Sequence, residues 1–170
     1  YISSPIGNRL ILRSRAEDDF ADDTPLETID LGILMHEWLA QINTWQDAQP
    51  TIDHMIAEGR ITPTQQTIMQ QQLLALQQLL QREGKEHWFT QPHMVRNEMD
   101  ILTTTGKTQR PDRVMIDGKT ASVIDYKFGH EHPTLYQEQL RNYTLLLQQM
   151  GYAVEAYLVY VAQQKIEQIQ

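Results

Sequence analysis

The chain has 170 residues, with 14 Lys and Arg against 22 Asp and Glu and a net charge of −8 at pH 7. That balance argues against an autonomous, non-specific DNA binder, but not against an acidic catalytic site whose phosphate grip comes from another domain. Cysteine is absent, which excludes disulfides, thiolate zinc sites and iron–sulfur clusters and is compatible with a reducing, cytoplasmic home.

Hydrophobic residues make up 41% of the chain, an ordinary value for a globular domain. No apolar run reaches the roughly 18 residues needed to span a membrane. The N-terminus, Tyr1-Ile2-Ser3-Ser4-Pro5, lacks both Met and the apolar core of a signal peptide. It reads as part of a longer protein.

Residues 1–27 are mixed and polar, with a short strand candidate at Arg9–Leu12 and an acidic stretch from Glu17 to Asp23. They read as a lead-in segment, partly disordered at its start. Leu31, Leu34, Met35, Trp38, Leu39 and Ile42 recur at helical spacing, so residues 28–45 are expected to form an amphipathic helix. A second helix is expected from Thr51 to about Glu58, ending at Gly59. A third opens with Thr62 as N-cap and Pro63 at the first helical position and runs to about Arg82. Its many glutamines read as a solvated face, with Ile68, Leu73, Leu74, Leu76, Leu79 and Leu80 as the apolar face. Strands are expected at His87–Thr90, Met94–Thr104, Arg113–Asp117 and Ala121–Phe128, then a helix at Thr134–Met150 and a last strand at Val154–Val161. This order describes a mixed α/β (α+β) domain.

The stretch from Arg110 to Lys127 carries the chemistry. Two apolar runs flank Asp117-Gly118-Lys119, a local signal for a hairpin. With Gly118-Lys119 as the loop, Ile116 pairs with Ala121, and counting outward sets Asp112 opposite Asp125. With Asp117-Gly118 as the loop, Asp112 faces Val123 instead. In the first register the two carboxylates stand about 5 Å apart at Cβ, an arrangement that repels unless a cation joins them. Hard oxygen ligands of this kind suit Mg²⁺. Lys127 follows Asp125 by two residues and so shares its face of the strand. Carboxylates and an ammonium side by side fit metal-assisted attack of water on a phosphodiester. Asp-x-Lys on a strand is also a common solvated pattern, so the hairpin needs support from elsewhere.

Four further positions offer it. His36 lies roughly 130° from the apolar stripe of the first helix, so it is not an ordinary core histidine. Gly32, one turn earlier, leaves room for close approach. The bland alternative is a surface histidine with an incidental glycine, and His36-Glu37 is not a zinc-protease motif because Ala40 stands where the second histidine belongs. Gln139 and Tyr143 lie four apart on the last long helix, where they either brace a catalytic group and reach a phosphate or are plain rim and core residues. Glu98 is either a further acidic ligand or base or a residue on a solvated edge. His130 and His132 read as loop residues.

In chain order these pieces resemble the PD-(D/E)XK nuclease superfamily, and within it the RecB-like branch that forms the C-terminal nuclease domain of RecB- and AddA-type helicase–nucleases. Gly32-Ile33-Leu34-Met35-His36 is similar to that branch's Gly-x-x-x-His helix, Pro111-Asp112 to its first acidic position, Asp125-Tyr126-Lys127 to its Asp-Tyr-Lys strand, and Gln139-Leu140-Arg141-Asn142-Tyr143 to its Gln-x-x-x-Tyr helix. The resemblance implies a restriction-endonuclease-like core, a central mixed sheet flanked by helices, over residues 28–170. It further implies Mg²⁺ or Mn²⁺ held by Asp112, Asp125, the Tyr126 carbonyl and His36, with Lys127 acting on the attacking water and Gln139 and Tyr143 contacting DNA or bracing the site. The cysteine-free sequence argues against the iron–sulfur subtype. The implied activity is a metal-dependent DNA exonuclease, the cutting module of an ATP-driven helicase with a partner subunit in double-strand-break repair and recombination. No Walker lysine motif lies in these residues, so the motor belongs to another part of the chain. The alternatives are a catalytically silent relative that binds DNA or a partner, and a stand-alone nuclease.

Overall fold

A computed structural model describes residues 26–90, 94–98, 101–102, 108–128 and 133–169. Helix α1 (Leu26–Ala40) leads into a short 3-10 turn (Trp45–Asp47), α2 (Ala48–Ala57), α3 (Pro63–Arg82) and a single helical turn, α4 (His87–Thr90). Strands β1 (Met94–Asn97), β2 (Ile101–Leu102), β3 (Thr108–Gln109), β4 (Arg113–Asp117) and β5 (Thr120–Lys127) follow, then α5 (Pro133–Gln149), β6 (Ala153–Tyr160) and β7 (Lys165–Ile169). The Arg9–Leu12 strand candidate and His130 and His132 lie outside the described residues.

Among the described residues, five strands form one mixed sheet in the order β1-β4-β5-β6-β7. All neighbours are antiparallel except β5 and β6, which run parallel. A parallel pair needs a crossover, and α5 supplies it. The sheet is covered on both faces. Val114, Ala121, Val123, Ala156, Leu158 and Tyr160 pack against Tyr136, Leu140, Tyr143 and Leu147 of α5. Met115, Ile124, Tyr126, Tyr157 and Val159 turn to the opposite layer, built from α1 to α4 around Met35, Trp38, Ile52, Leu76 and Trp88. The mixed α/β class with helices flanking a central sheet is the architecture expected from the order of elements.

The hairpin adopts the first of the two registers: Ile116 faces Ala121 and Asp117 faces Thr120 across the two-residue loop Gly118-Lys119. Gly118 takes φ 57, a conformation in which an L side chain is strained. Gly118→Val should therefore lower the unfolding free energy by about 1–2 kcal/mol. Thermal unfolding should show this as a drop of a few degrees.

Several elements differ from the sequence reading. The first helix stops at Ala40 rather than 45, because the Asp47 carboxylate accepts from the backbone N–H groups of Asn43 (3.0 Å) and Thr44 (2.8 Å) and starts a new turn there. The second helix begins at Ala48, three residues early, since Pro50 falls in the first turn, where its missing N–H has no partner to lose. His87–Thr90 is a helical turn, not a strand: Trp88 and Phe89 donate backbone bonds to Lys85 and Glu86, and both rings are buried in the helical layer. A short apolar run cannot distinguish the two by pattern.

The long strand expected over Met94–Thr104 is broken. β1 ends at Asn97, Glu98 turns the backbone with φ 49, and Ile101–Leu102 pairs with Thr108–Gln109 in a separate two-stranded ladder. Residues 99–100 and 103–104 lie outside the description. β7 was not anticipated, as Ile166 and Ile169 are three apart and give no alternation.

Candidate active site

The site lies where β4 begins and β5 ends. Extending the register one step beyond Arg113↔Ile124 sets Asp112 across from Asp125. Period-two alternation sends Asp125 and Lys127 to the α5 face along with Val123. Both side chains are 1% exposed, and Lys127 Nζ lies 2.9 Å from Asp125 Oδ2. The same ammonium sits 4.1 Å from the ring centroid of Tyr136 on α5, where the ring face stabilises a desolvated cation.

Asp112, 7% exposed, faces two ways. Its Oδ2 accepts from the backbone N–H of Tyr126 at 2.7 Å, a bond that ties it to the segment between Asp125 and Lys127. Its Oδ1 lies 3.3 Å from Nδ1 of His36. His36 is itself largely buried, with its ring edge-on to Phe128 at 5.3 Å. The displacement of His36 from the apolar stripe thus has a structural counterpart, a polar partner across the domain. Gly32, one turn earlier, is also buried.

Glu98 completes the cluster. One ligand atom from each of His36, Glu98 and Asp112 lies within 4.8 Å of the other two. Glu98 reaches this place through a left-handed backbone (φ 49), a conformation costing about 1–3 kcal/mol that persists only where neighbours enforce it. Its N–H donates to the Asp112 carbonyl at 3.0 Å, and its carboxylate lies 3.9 Å from Nε of Arg110. Two carboxylates and an imidazole, hard and borderline donors together, fit a divalent cation of the Mg²⁺ or Mn²⁺ kind. When bound there, such an ion supplies Lewis-acid polarisation of a phosphoryl oxygen and an activated water. Asp125 stands outside this three-residue group and faces Lys127.

On α5, the buried Tyr143 donates its hydroxyl to the carbonyl of Arg110 at 3.1 Å, two residues before Asp112. Gln139 is half-buried one turn earlier.

Sequence reasoning missed Arg113, the residue after Asp112. It is 1% exposed, and burial pulls its guanidinium below its ordinary pKa, opposed by the nearby Tyr126 hydroxyl and Asp47 carboxylate. A charged residue within an otherwise apolar strand, Arg113-Val114-Met115-Ile116, was the available signal. Burial also pushes the Tyr126 phenol well above its usual range.

A mixed sheet sandwiched by helices, with acidic residues, a histidine and a lysine gathered at one end of its central strands, is the framework of a metal-dependent nuclease. The comparison with known families agrees: the family model of the PD-(D/E)XK nuclease superfamily matches residues 9–170, and the chain belongs to that superfamily. Nucleases of this class use divalent metal ions. No curated protein matches the chain. Among the described residues, no helix is long and apolar enough to cross a membrane.

Proposed function

We propose that the chain is a Mg²⁺-dependent DNA exonuclease module of the RecB-like branch. In this reading residues 28–170 form the C-terminal nuclease part of a cytoplasmic, ATP-driven helicase–nuclease, with a partner subunit, in double-strand-break repair and recombination. His36, Asp112, Asp125 and the Tyr126 carbonyl hold the cation, with Glu98 as a further acidic ligand. Lys127 orients the attacking water and stabilises charge developing on the phosphate. Gln139 and Tyr143 serve DNA or the frame of the site. The observation that carries this reading is the hydrogen bond from Tyr126 N–H to Asp112, which joins the buried Asp125–Lys127 pair to the cluster of His36, Glu98 and Asp112. The four motifs in family order support the RecB-like placement.

The reading is tested with DNA labelled at one end. Linear duplex and single strands should be shortened in Mg²⁺ or Mn²⁺, covalently closed circles should survive, and EDTA should stop the reaction. The assay is run on the chain and on any product whose reading frame continues upstream through ATPase motifs. Cutting of closed circles would replace an exonuclease with an endonuclease. Digestion in EDTA would remove the metal requirement altogether.

A further inference from the structure

We infer that Arg113 is the positioning residue that brings together three of the chain segments that build the cation site. The inference rests on reading His36, Glu98 and Asp112 as cation ligands. These residues come from α1, from the end of β1 and from the start of β4, and nothing local in the sequence brings them together. Arg113 stands in β4 beside Asp112 and reaches the other two, the chain just after α1 and the end of β1. Its Nη1 donates to the carbonyl of Ile42 at 2.7 Å and to Asn97 Oδ1 at 3.3 Å, and its Nη2 donates to the carbonyls of Asn43 and Trp88, each at 2.7 Å. Its guanidinium lies 4.0 Å from the ring centroid of Phe89.

The contacts to Ile42, Asn43 and Asn97 bear on the ligands, while those to Trp88 and Phe89 anchor the guanidinium in α4. Ile42 and Asn43 follow the C-terminal end of the helix that carries His36, where exposed carbonyls and the helix dipole favour a cation. Asn97 is the cross-strand partner of Arg113 and immediately precedes Glu98. Its amide also donates to the Ile42 carbonyl at 3.2 Å and to Asn43 Oδ1 at 3.3 Å, doubling the link between β1 and the end of α1. Asp112 precedes Arg113, so alternation along β4 sends one side chain to the site and the other into the helical layer.

A buried arginine is a costly way to hold a core together, and an apolar side chain of similar size serves packing as well. What the guanidinium adds is direction. Apolar packing of α1 against the sheet tolerates small slips, whereas four hydrogen bonds from one planar fork allow few. Three ligand groups drawn to one ion need that precision, and lysine, a point charge with three donors, cannot reproduce the fork.

The test is titration of the metal-free chain with MnCl₂ by calorimetry, at a temperature where near-ultraviolet circular dichroism shows every variant folded. Arg113→Lys should weaken Mn²⁺ binding by about 10-fold to 100-fold, the range seen when groups behind metal ligands are lost. Met69→Ala, a truncation in the α3 core away from these contacts, should destabilise the chain and leave Mn²⁺ affinity as in the parent. Unchanged affinity in Arg113→Lys overturns the inference even if the variant melts earlier. Should Arg113→Lys fail to fold, Asn97→Ala takes its place with the same expected weakening, and unchanged affinity there overturns the inference equally. His36→Ala and Asp112→Asn separate the two levels. If neither alters binding, the ligand reading falls and the positioning role with it; if both do and Arg113→Lys does not, only the positioning role is lost.

Discussion

Asp125→Ala and Lys127→Ala will each lower the unfolding free energy by about 3–5 kcal/mol, because each removes one half of a buried ion pair. Both side chains are 1% exposed and the partners sit 2.9 Å apart, so the pair is shielded from bulk solvent. The double variant Asp125→Ala/Lys127→Ala removes both charges and should be markedly more stable than the sum of the two losses, a coupling that a double-mutant cycle by urea unfolding measures. DNA digestion should behave differently. Each single variant should lose on the order of 10³-fold in rate, the loss typical of removing one group that stabilises transition-state charge, and the double variant should recover none of it. Stability losses that simply add would show that the pair is not coupled. Digestion that survives Lys127→Ala would remove that lysine from the chemistry.

Asp112 separates two roles that one carboxylate performs. Its Oδ2 accepts from the Tyr126 N–H, a structural bond that any well-placed oxygen can make, while Oδ1 faces His36 and the proposed cation site. Asp112→Asn keeps an acceptor for Tyr126 but loses the negative charge that attracts the cation. Asp112→Ala loses both, and a buried backbone N–H without an acceptor costs about 1–3 kcal/mol. Mn²⁺ at a hundred times its dissociation constant should raise the stability of the parent by about 2.7 kcal/mol through mass action. Both variants should lose that gain. In metal-free buffer Asp112→Asn should stay close to the parent, with Asp112→Ala clearly below it. Thermal unfolding with and without MnCl₂ reads all of these outcomes. A full metal-induced shift in Asp112→Asn would take Asp112 out of the ligand set.

The hairpin was the part of the site most open to reading from sequence. Asp117-Gly118-Lys119 between two apolar runs specifies a local turn, and once Ile116 faces Ala121 the distance from the turn alone brings Asp112 opposite Asp125. Period-two alternation likewise put Lys127 on the face of Asp125. The helix from Pro63 to Arg82 was legible at both ends, because its N-cap Thr62, its first-turn Pro63 and the glycine beyond it act within a few residues of chain. Local signals failed where the outcome depends on neighbours distant in sequence. Trp88 and Phe89 look like a strand until the helical layer buries both rings. The segment after Asn97 looks like a continued strand until Glu98 takes its left-handed turn against the Asp112 carbonyl.

The sequence by itself determined the class of domain, the hairpin turn and the two registers open to it, since turn chemistry and side-chain periodicity act over short stretches of backbone; the structure chose between those registers. Only the tertiary structure decided which acidic groups stand beside the histidine. It brings Glu98 and Asp112 to His36 and turns Asp125 toward Lys127. Only the tertiary structure, too, revealed Arg113 as the link among the end of α1, α4 and β1. The physical reason is that these contacts join residues up to 76 positions apart (His36 to Asp112). No spacing rule spans that distance; it is closed by burial of the helical layer on the sheet and by directional hydrogen bonds formed once that layer has docked.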